Sequence, residues 1–104
     1  MLKHRSTKRP PTHPGEILLE EFLKPHGLSM VAAARRLGVS QQLLNKIVRG
    51  DGPVTVNTAL RLERLFESEA AMWLNLQRDW DLWHALRQLK RELEFIRPLE
   101  GAVA

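Results

Sequence analysis

One short segment of the sequence places hydrogen-bonding and cationic side chains on a single helical face. At about 100° per residue, the polar residues between positions 41 and 49 fall opposite Leu44 and Ile47. These polar residues are Gln41, Gln42, Asn45, Lys46 and Arg49, and they follow directly after Ser40. Glutamine and asparagine can bind adenine through paired hydrogen bonds, whereas lysine and arginine reach guanine or a phosphate. The segment therefore predicts a recognition helix for a DNA major groove, with an ordinary solvated helix face as the alternative.

The residues around this segment are those that such a helix needs. Ser29 is suited to cap a preceding helix, and Gly38 ends that helix after about two turns. Two helices joined by a short turn that contains glycine form the helix-turn-helix motif. The small side chain of Ala34 allows the two helices to cross closely, and residues 28–50 contain no acidic side chain. This combination favours DNA binding over the ordinary polar face.

The chain as a whole is predicted to be all-α, and its 104 residues are enough for one domain. Proline and glycine separate the helix-spaced apolar segments, and no alternating β-branched run precedes the C-terminal tail. We expect a first helix from Pro14, and four more that follow the N-cap residues Ser29, Ser40, Thr55 and Ser68. Residues 13–87 would form the helix-turn-helix domain. Residues 88–104 would be a C-terminal extension, with residues 88–97 compatible with either a helix or a strand.

The formal net charge of +4 is concentrated at the start of the chain. Lys3, Arg5, Lys8 and Arg9 lie there without an acidic neighbour, while the remaining basic and acidic residues are equal in number. Residues 1–12 are polar and contain proline, so we predict a flexible basic arm. Three roles stay open for this arm: a solubilising tail, a contact with DNA phosphates, or a segment that folds onto a protein partner.

Other kinds of chemistry find no support in the sequence. There is no cysteine, and the four histidines, His4, His13, His26 and His84, stand 9, 13 and 58 positions apart. This spacing matches no metal-binding motif, and neither a nucleophile elbow nor a glycine-rich phosphate loop is found. We therefore expect a protein that is not an enzyme and that binds neither metal nor cofactor. No apolar run is long enough for a membrane span or a secretory signal, so we expect a cytoplasmic protein.

Three stretches of the sequence resemble one known family. Residues 13–18 read HPGEIL, residues 37–50 read LGVSQQLLNKIVRG, and residues 73–77 read WLNLQ, followed by WDLW at 80–83. In this order they resemble the opening, the recognition unit and the fifth helix of HigA-type antitoxins. This family is a branch of the Xre, or lambda-repressor-like, helix-turn-helix proteins. The resemblance covers residues 13–87 and implies a five-helix lambda-repressor-like domain.

The resemblance also implies a function, which is a type II toxin–antitoxin role. Such antitoxins bind operator DNA as homodimers, repress their own operon, and neutralise a HigB-like toxin, an mRNA endonuclease. On this basis Ser40, Gln41, Gln42, Asn45, Lys46 and Arg49 are the expected DNA-binding residues. The alternative is a free-standing, phage-type repressor without a toxin partner.

The tryptophans of the predicted fifth helix offer a candidate dimer interface. Trp73, Trp80 and Trp83 are spaced at helical intervals and lead into Leu86 and further leucines. In one interpretation all three tryptophans close the core of the monomer. In the other, which we favour, Trp73 packs inward while Trp80, Trp83 and Leu86 form a two-fold interface, because large aromatic residues are enriched in interface cores.

Overall fold

A computed structural model describes residues 9–101, and over that range the chain is helical without strands. Helix α1 starts as an α-helical turn over Pro14–Ile17 and continues directly as a π-helix over Leu18–Leu23. The helices that follow are α2 (Met30–Leu37), α3 (Gln41–Val48), α4 (Val56–Phe66), α5 (Ala70–Gln88) and α6 (Lys90–Glu94). The all-α class and the five expected helices are confirmed, and α6 is an additional short one.

Three of the predicted N-cap residues cap their helices as expected. The hydroxyl oxygen of Ser29 accepts a hydrogen bond from the Ala32 N–H at 3.1 Å. Ser40 accepts one from Leu43 at 3.0 Å, and Thr55 accepts one from Thr58 at 3.3 Å. Each bond satisfies a backbone donor that the first turn of a helix leaves without an intrahelical partner.

The fourth predicted cap, Ser68, is wrong. Helix α5 begins at Ala70, whose N–H donates to the Glu63 carboxylate at 2.9 Å. The Ser68 hydroxyl instead accepts a hydrogen bond from the indole N–H of Trp73 at 2.9 Å. Because the Trp73 side chain is completely buried, its N–H needs a protein acceptor, and Ser68 supplies one.

The core lies where helices α1 to α5 meet. Trp73 is its largest fully buried side chain, and the ring of Phe22 lies 5.1 Å from it, centroid to centroid. Phe22 also lies 5.1 Å from Phe66, so α1, α4 and α5 contact one another through aromatic rings. The other buried apolar residues are Leu18, Leu23, Ala33, Ala34, Leu37, Leu44, Ile47, Val54, Ala59 and Leu62.

The C-terminal extension is helical at its start, which settles the helix-or-strand alternative for residues 90–94. The Leu89 N–H donates to Ala85 at 2.8 Å, and the Leu93 N–H donates to Leu89 at 2.9 Å. These bonds carry the helical hydrogen-bonding pattern from α5 into α6. Residues 102–104 of the extension and residues 1–8 of the predicted arm lie outside the described residues.

Candidate nucleic-acid interface

Helix α3 exposes the polar face that the sequence predicts. Leu44 and Ile47 are completely buried and attach the helix to the core. The side chains on the other face are all exposed: Gln41, Gln42, Asn45, Lys46 and Arg49, together with Ser40 at the N-cap. The helix is therefore attached to the domain through Leu44 and Ile47, and its hydrogen-bonding side chains face outward.

Four of these side chains come together around one shallow hollow, namely Gln42, Asn45, Lys46 and Arg49. Two carboxamides and two cations in this arrangement can read base edges and hold phosphates at the same time. Gln41 lies at the N-terminal end of α3, the end that contacts bases in helix-turn-helix proteins. The side-chain oxygen of Ser40 is less available to DNA, because it caps the helix by accepting a hydrogen bond from the Leu43 N–H.

An acidic side chain adjoins one end of this face. The Nε of Arg49 lies 3.6 Å from a carboxylate oxygen of Asp51, and both side chains are exposed. An exposed ion pair of this kind contributes at most about 1 kcal/mol. A phosphate can therefore replace Asp51 as the partner of Arg49 at little cost.

Helix α1 packs against the C-terminal end of α3 through a glycine. A Cβ at Gly15 would collide with the carbonyl oxygen of Ile47, so only glycine permits this approach of the two backbones. Gly15 lies in the first turn of α1, directly after Pro14. The first turn of α1 thus determines how α3 sits on the domain.

His13 fixes the beginning of α1 near its contact with the C-terminal end of α3. Its Nδ1 accepts a hydrogen bond from the Gly15 N–H at 2.9 Å, and its ring meets the Trp80 ring edge-on at 4.9 Å between centroids. Burial lowers the pKa of His13, while Asp81 and a hydrogen bond with the Gly52 backbone oppose that shift. The ring is therefore held neutral, with Nδ1 as an acceptor.

The turn between α2 and α3 is held by an arginine from α4. Gly38 adopts the left-handed conformation, with φ of 72°, and ends α2. The Arg61 guanidinium donates to the carbonyl oxygens of Leu37 at 2.8 Å and Gly38 at 3.2 Å. It also donates to the Asn57 side chain at 2.6 Å, so its own orientation is fixed.

A buried glutamine holds the segment that follows α3. The side-chain oxygen of Gln77 accepts a hydrogen bond from the Val54 N–H at 2.7 Å. Its amide nitrogen donates to Asp81 at 3.0 Å. Both polar ends of this buried side chain are thus satisfied, and α5 fixes the loop that connects α3 with α4.

Sequence reasoning from periodicity missed three residues that position the recognition helix: Gly15, Arg61 and Gln77. Gly15 and Gln77 belong to the HPGEIL and WLNLQ stretches, so the family resemblance was their only signal. Arg61 had no signal, because its carbonyl partners lie 24 and 23 positions earlier in the chain.

The residues predicted for dimerisation lie along the second half of α5. The Trp80 ring packs against rings of its own chain, with His84 at 4.0 Å in addition to His13. The Arg87 guanidinium lies over the Trp83 ring at 3.6 Å, and Leu86 is half-buried. Trp80 therefore has a structural role within the monomer, and the interface stays a prediction.

Residues 9–101 contain neither a cluster of metal-binding side chains nor a membrane-spanning helix. In this part of the chain no three side chains of the metal-binding types come together. No helix there is both long enough and apolar enough to cross a membrane.

A capped pair of short helices, a glycine turn and an exposed polar second helix define a helix-turn-helix domain. A helix-turn-helix family model matches residues 19–72. The virulence-associated protein I of Dichelobacter nodosus is 50% identical over 90 residues, which cover 86% of this chain and 82% of that protein.

Two solved structures share both fold and sequence with this chain. The Pseudomonas aeruginosa antitoxin HigA, solved with the higBA promoter, is 40% identical with a TM-score of 0.80, covering 86% of this chain and 98% of HigA. The antitoxin GraA in complex with its operator is 41% identical with a TM-score of 0.81, covering 95% of this chain and 98% of GraA. The chain belongs to the HigA-type antitoxins of the helix-turn-helix family.

Proposed function

We propose that this protein is the antitoxin of a type II toxin–antitoxin system that binds operator DNA as a homodimer and represses its own operon. The observation that carries the proposal is the exposed polar face of α3, whose four central side chains surround one hollow above a buried anchor. An α-helix of this kind fits the major groove, and two copies about 34 Å apart read two half-sites. The related proteins solved with a promoter or operator support the same interaction.

The second activity in the proposal is neutralisation of a HigB-like mRNA endonuclease toxin. Its support is the similarity of the chain to HigA antitoxins. The protein itself would act by binding, without catalysis, metal or cofactor. Its DNA and toxin targets would place it in the cytoplasm.

Two experiments test the proposal. A gel shift with the DNA upstream of its own gene should give a specific complex, and loss of specificity over random DNA would contradict operator binding. Co-expression with the neighbouring reading frame should restore growth and co-purify a toxin. DNA binding without rescue or co-purification would instead support the free-standing repressor.

A further inference from the structure

One exposed side chain of helix α3 is apolar and lies beside the polar face. Leu43 is 37% exposed, whereas Leu44 and Ile47 are completely buried. Around the helix Leu43 lies about 40° from Ile47 and about 60° from Lys46, on the border between the buried side and the polar face. The polar face of α3 therefore has an apolar edge.

Leu43 lies near the N-terminal end of α3, where its backbone is held in place. It is the third residue of the helix, and its N–H donates to the Ser40 side-chain oxygen at 3.0 Å. In an α-helix each Cα–Cβ bond is tilted toward the N-terminus. In helix-turn-helix proteins the N-terminal residues of the second helix contact the base edges. The Leu43 side chain thus leans toward the end of α3 that would meet the bases.

A single exposed leucine is common on protein surfaces, so the location of Leu43 is what matters. Gln42 and Lys46, which line the hollow of α3, are its neighbours along the chain and around the helix. When α3 enters a major groove, Leu43 is covered together with them. Covering an apolar side chain stabilises the complex where it meets an apolar group, but costs free energy where it takes water from an unpaired polar group. Affinity therefore depends on what the base pair presents to Leu43.

Thymine presents the one methyl group among the base edges of the major groove. The other groups there are hydrogen-bond donors and acceptors. In an A·T pair the methyl lies beside the adenine edge that a glutamine can bind through paired hydrogen bonds. Gln42 and Leu43 are separated by a rise of about 1.5 Å along the helix, less than the spacing of about 3.4 Å between base pairs. The two side chains would therefore contact the same base pair or adjacent ones.

We infer that Leu43 is a specificity-determining residue that contacts the C5 methyl group of a thymine in each operator half-site. The inference rests on the proposed function, because it requires α3 to lie in the major groove of an operator. It adds the base, and the group on that base, that an apolar side chain recognises. The thymine should lie within one base pair of the base that Gln42 contacts.

The first test removes the methyl group alone. Each thymine of the operator in the DNA upstream of the gene is replaced in turn by deoxyuridine, which lacks only the C5 methyl. Fluorescence anisotropy measures the affinity of the wild type and of Leu43→Ala for each DNA. At one position in a half-site the replacement should weaken wild-type binding about fourfold, the value of burying one methyl group. The same replacement should leave the affinity of Leu43→Ala unchanged.

The second test supplies the methyl group on a different base. At the sensitive position the T·A pair is replaced by C·G, and cytosine is compared with 5-methylcytosine, whose methyl group has the same place in the major groove. Methylation should strengthen wild-type binding about fourfold and should leave the affinity of Leu43→Ala unchanged. An equal gain for both proteins would show that the methyl group acts through DNA shape, and would overturn the contact.

Leu60→Ala is the matched control for the variant. Leu60 is 53% exposed and lies on α4, outside the recognition helix, so this variant should respond to both base changes as the wild type does. Circular dichroism should show that Leu43→Ala keeps its helices, because alanine has the highest helix propensity. A Leu43→Ala variant that still loses affinity with deoxyuridine at the sensitive position would assign the methyl group to another residue.

The outcomes separate this inference from the proposed function. A wild-type protein that prefers its operator to random DNA, but responds to no deoxyuridine replacement, overturns the inference alone and without any variant. A wild-type protein that does not distinguish its operator from random DNA contradicts the proposed operator binding itself.

Discussion

The side-chain oxygen of Gln77 in α5 accepts a hydrogen bond from the backbone N–H of Val54, at 2.7 Å, in the loop that follows the recognition helix. The two residues are 23 positions apart in sequence. Through this bond the longest helix of the domain fixes the far end of the α3–α4 connection. The orientation of α3 thus depends on side chains that never approach the DNA-binding face.

Replacing Gln77 with leucine should destabilise the domain. The change leaves the buried Val54 N–H without an acceptor, which costs about 1–3 kcal/mol. Urea denaturation should show this loss. Gln88→Leu is the matched control, because Gln88 is exposed at the end of α5, and its free energy of unfolding should stay within about 0.5 kcal/mol of the wild type. An equal loss in both variants would contradict a special role for Gln77.

Gly15→Ala should separate α1 from the recognition helix. The added methyl group collides with the Ile47 carbonyl, and a backbone oxygen cannot move aside as a side chain can. Overpacking of this kind costs about 1–3 kcal/mol. We expect a lower melting temperature together with weaker operator binding at a temperature where the variant is still folded. Unchanged operator affinity would show that the α1–α3 contact does not position α3.

The recognition unit could be predicted from sequence because its signals are local. Ser29, Gly38 and Ser40 act on backbone groups within a few residues, and the periodicity of Leu44 and Ile47 alone defines the buried side of α3. Such contacts follow from neighbouring positions in the chain.

The residues that were mispredicted or missed depend on distant partners. Ser68 has the residue type and position of an N-cap, but its hydroxyl oxygen accepts a hydrogen bond from the buried indole of Trp73 instead. From sequence alone, Gln77 has the character of a polar residue on a helix surface. In the fold, the α3–α4 loop covers it, and its side chain accepts a hydrogen bond from that loop. Arg61 reads as a solvated cation, whereas it binds the two carbonyls of the helix-turn-helix bend. Only the assembled fold reveals these three partnerships.

Gln42→Ala should reduce base recognition specifically. Gln42 is exposed in the hollow with Lys46 and Arg49, so its loss should cost about 1–3 kcal/mol on the operator and much less on random DNA. Fluorescence anisotropy on the two DNAs measures the difference. Gln88→Ala should change neither affinity. An equal loss on operator and random DNA would show that Gln42 does not read bases.

The stability of the domain should decrease at mildly acidic pH because of His13. Burial lowers the pKa of this histidine below its ordinary value of 6.5, so the unfolded chain takes up the proton first as the pH falls. The free energy of unfolding should therefore be constant with respect to His13 above about pH 7.5. It should decrease as the pH falls through 6.5.

His13→Asn is the control for this pH dependence. Asparagine can still accept the hydrogen bond from the Gly15 N–H but does not titrate, so the decrease between pH 7.5 and 5.5 should become smaller. Urea unfolding of both proteins across that range measures the difference. Identical pH profiles would assign the acid sensitivity to other groups.

We predict that α3 binds DNA while a different surface of the protein binds the toxin, and one double variant separates the two activities. Lys46→Ala combined with Arg49→Ala removes both cations from the α3 face without touching its buried anchors. Repression should be abolished, and the salt slope of the residual DNA binding should fall by about two.

Growth rescue from the co-expressed toxin is the decisive measurement on this variant. The acidic residues Glu16, Glu20 and Glu21 are exposed on α1 and not on α3, and they would suit a basic RNA-cleaving toxin. The variant should therefore rescue growth as well as the wild type at equal expression. A folded, equally expressed variant that fails to rescue growth would contradict the separate-surface account and place the toxin on α3 in competition with DNA.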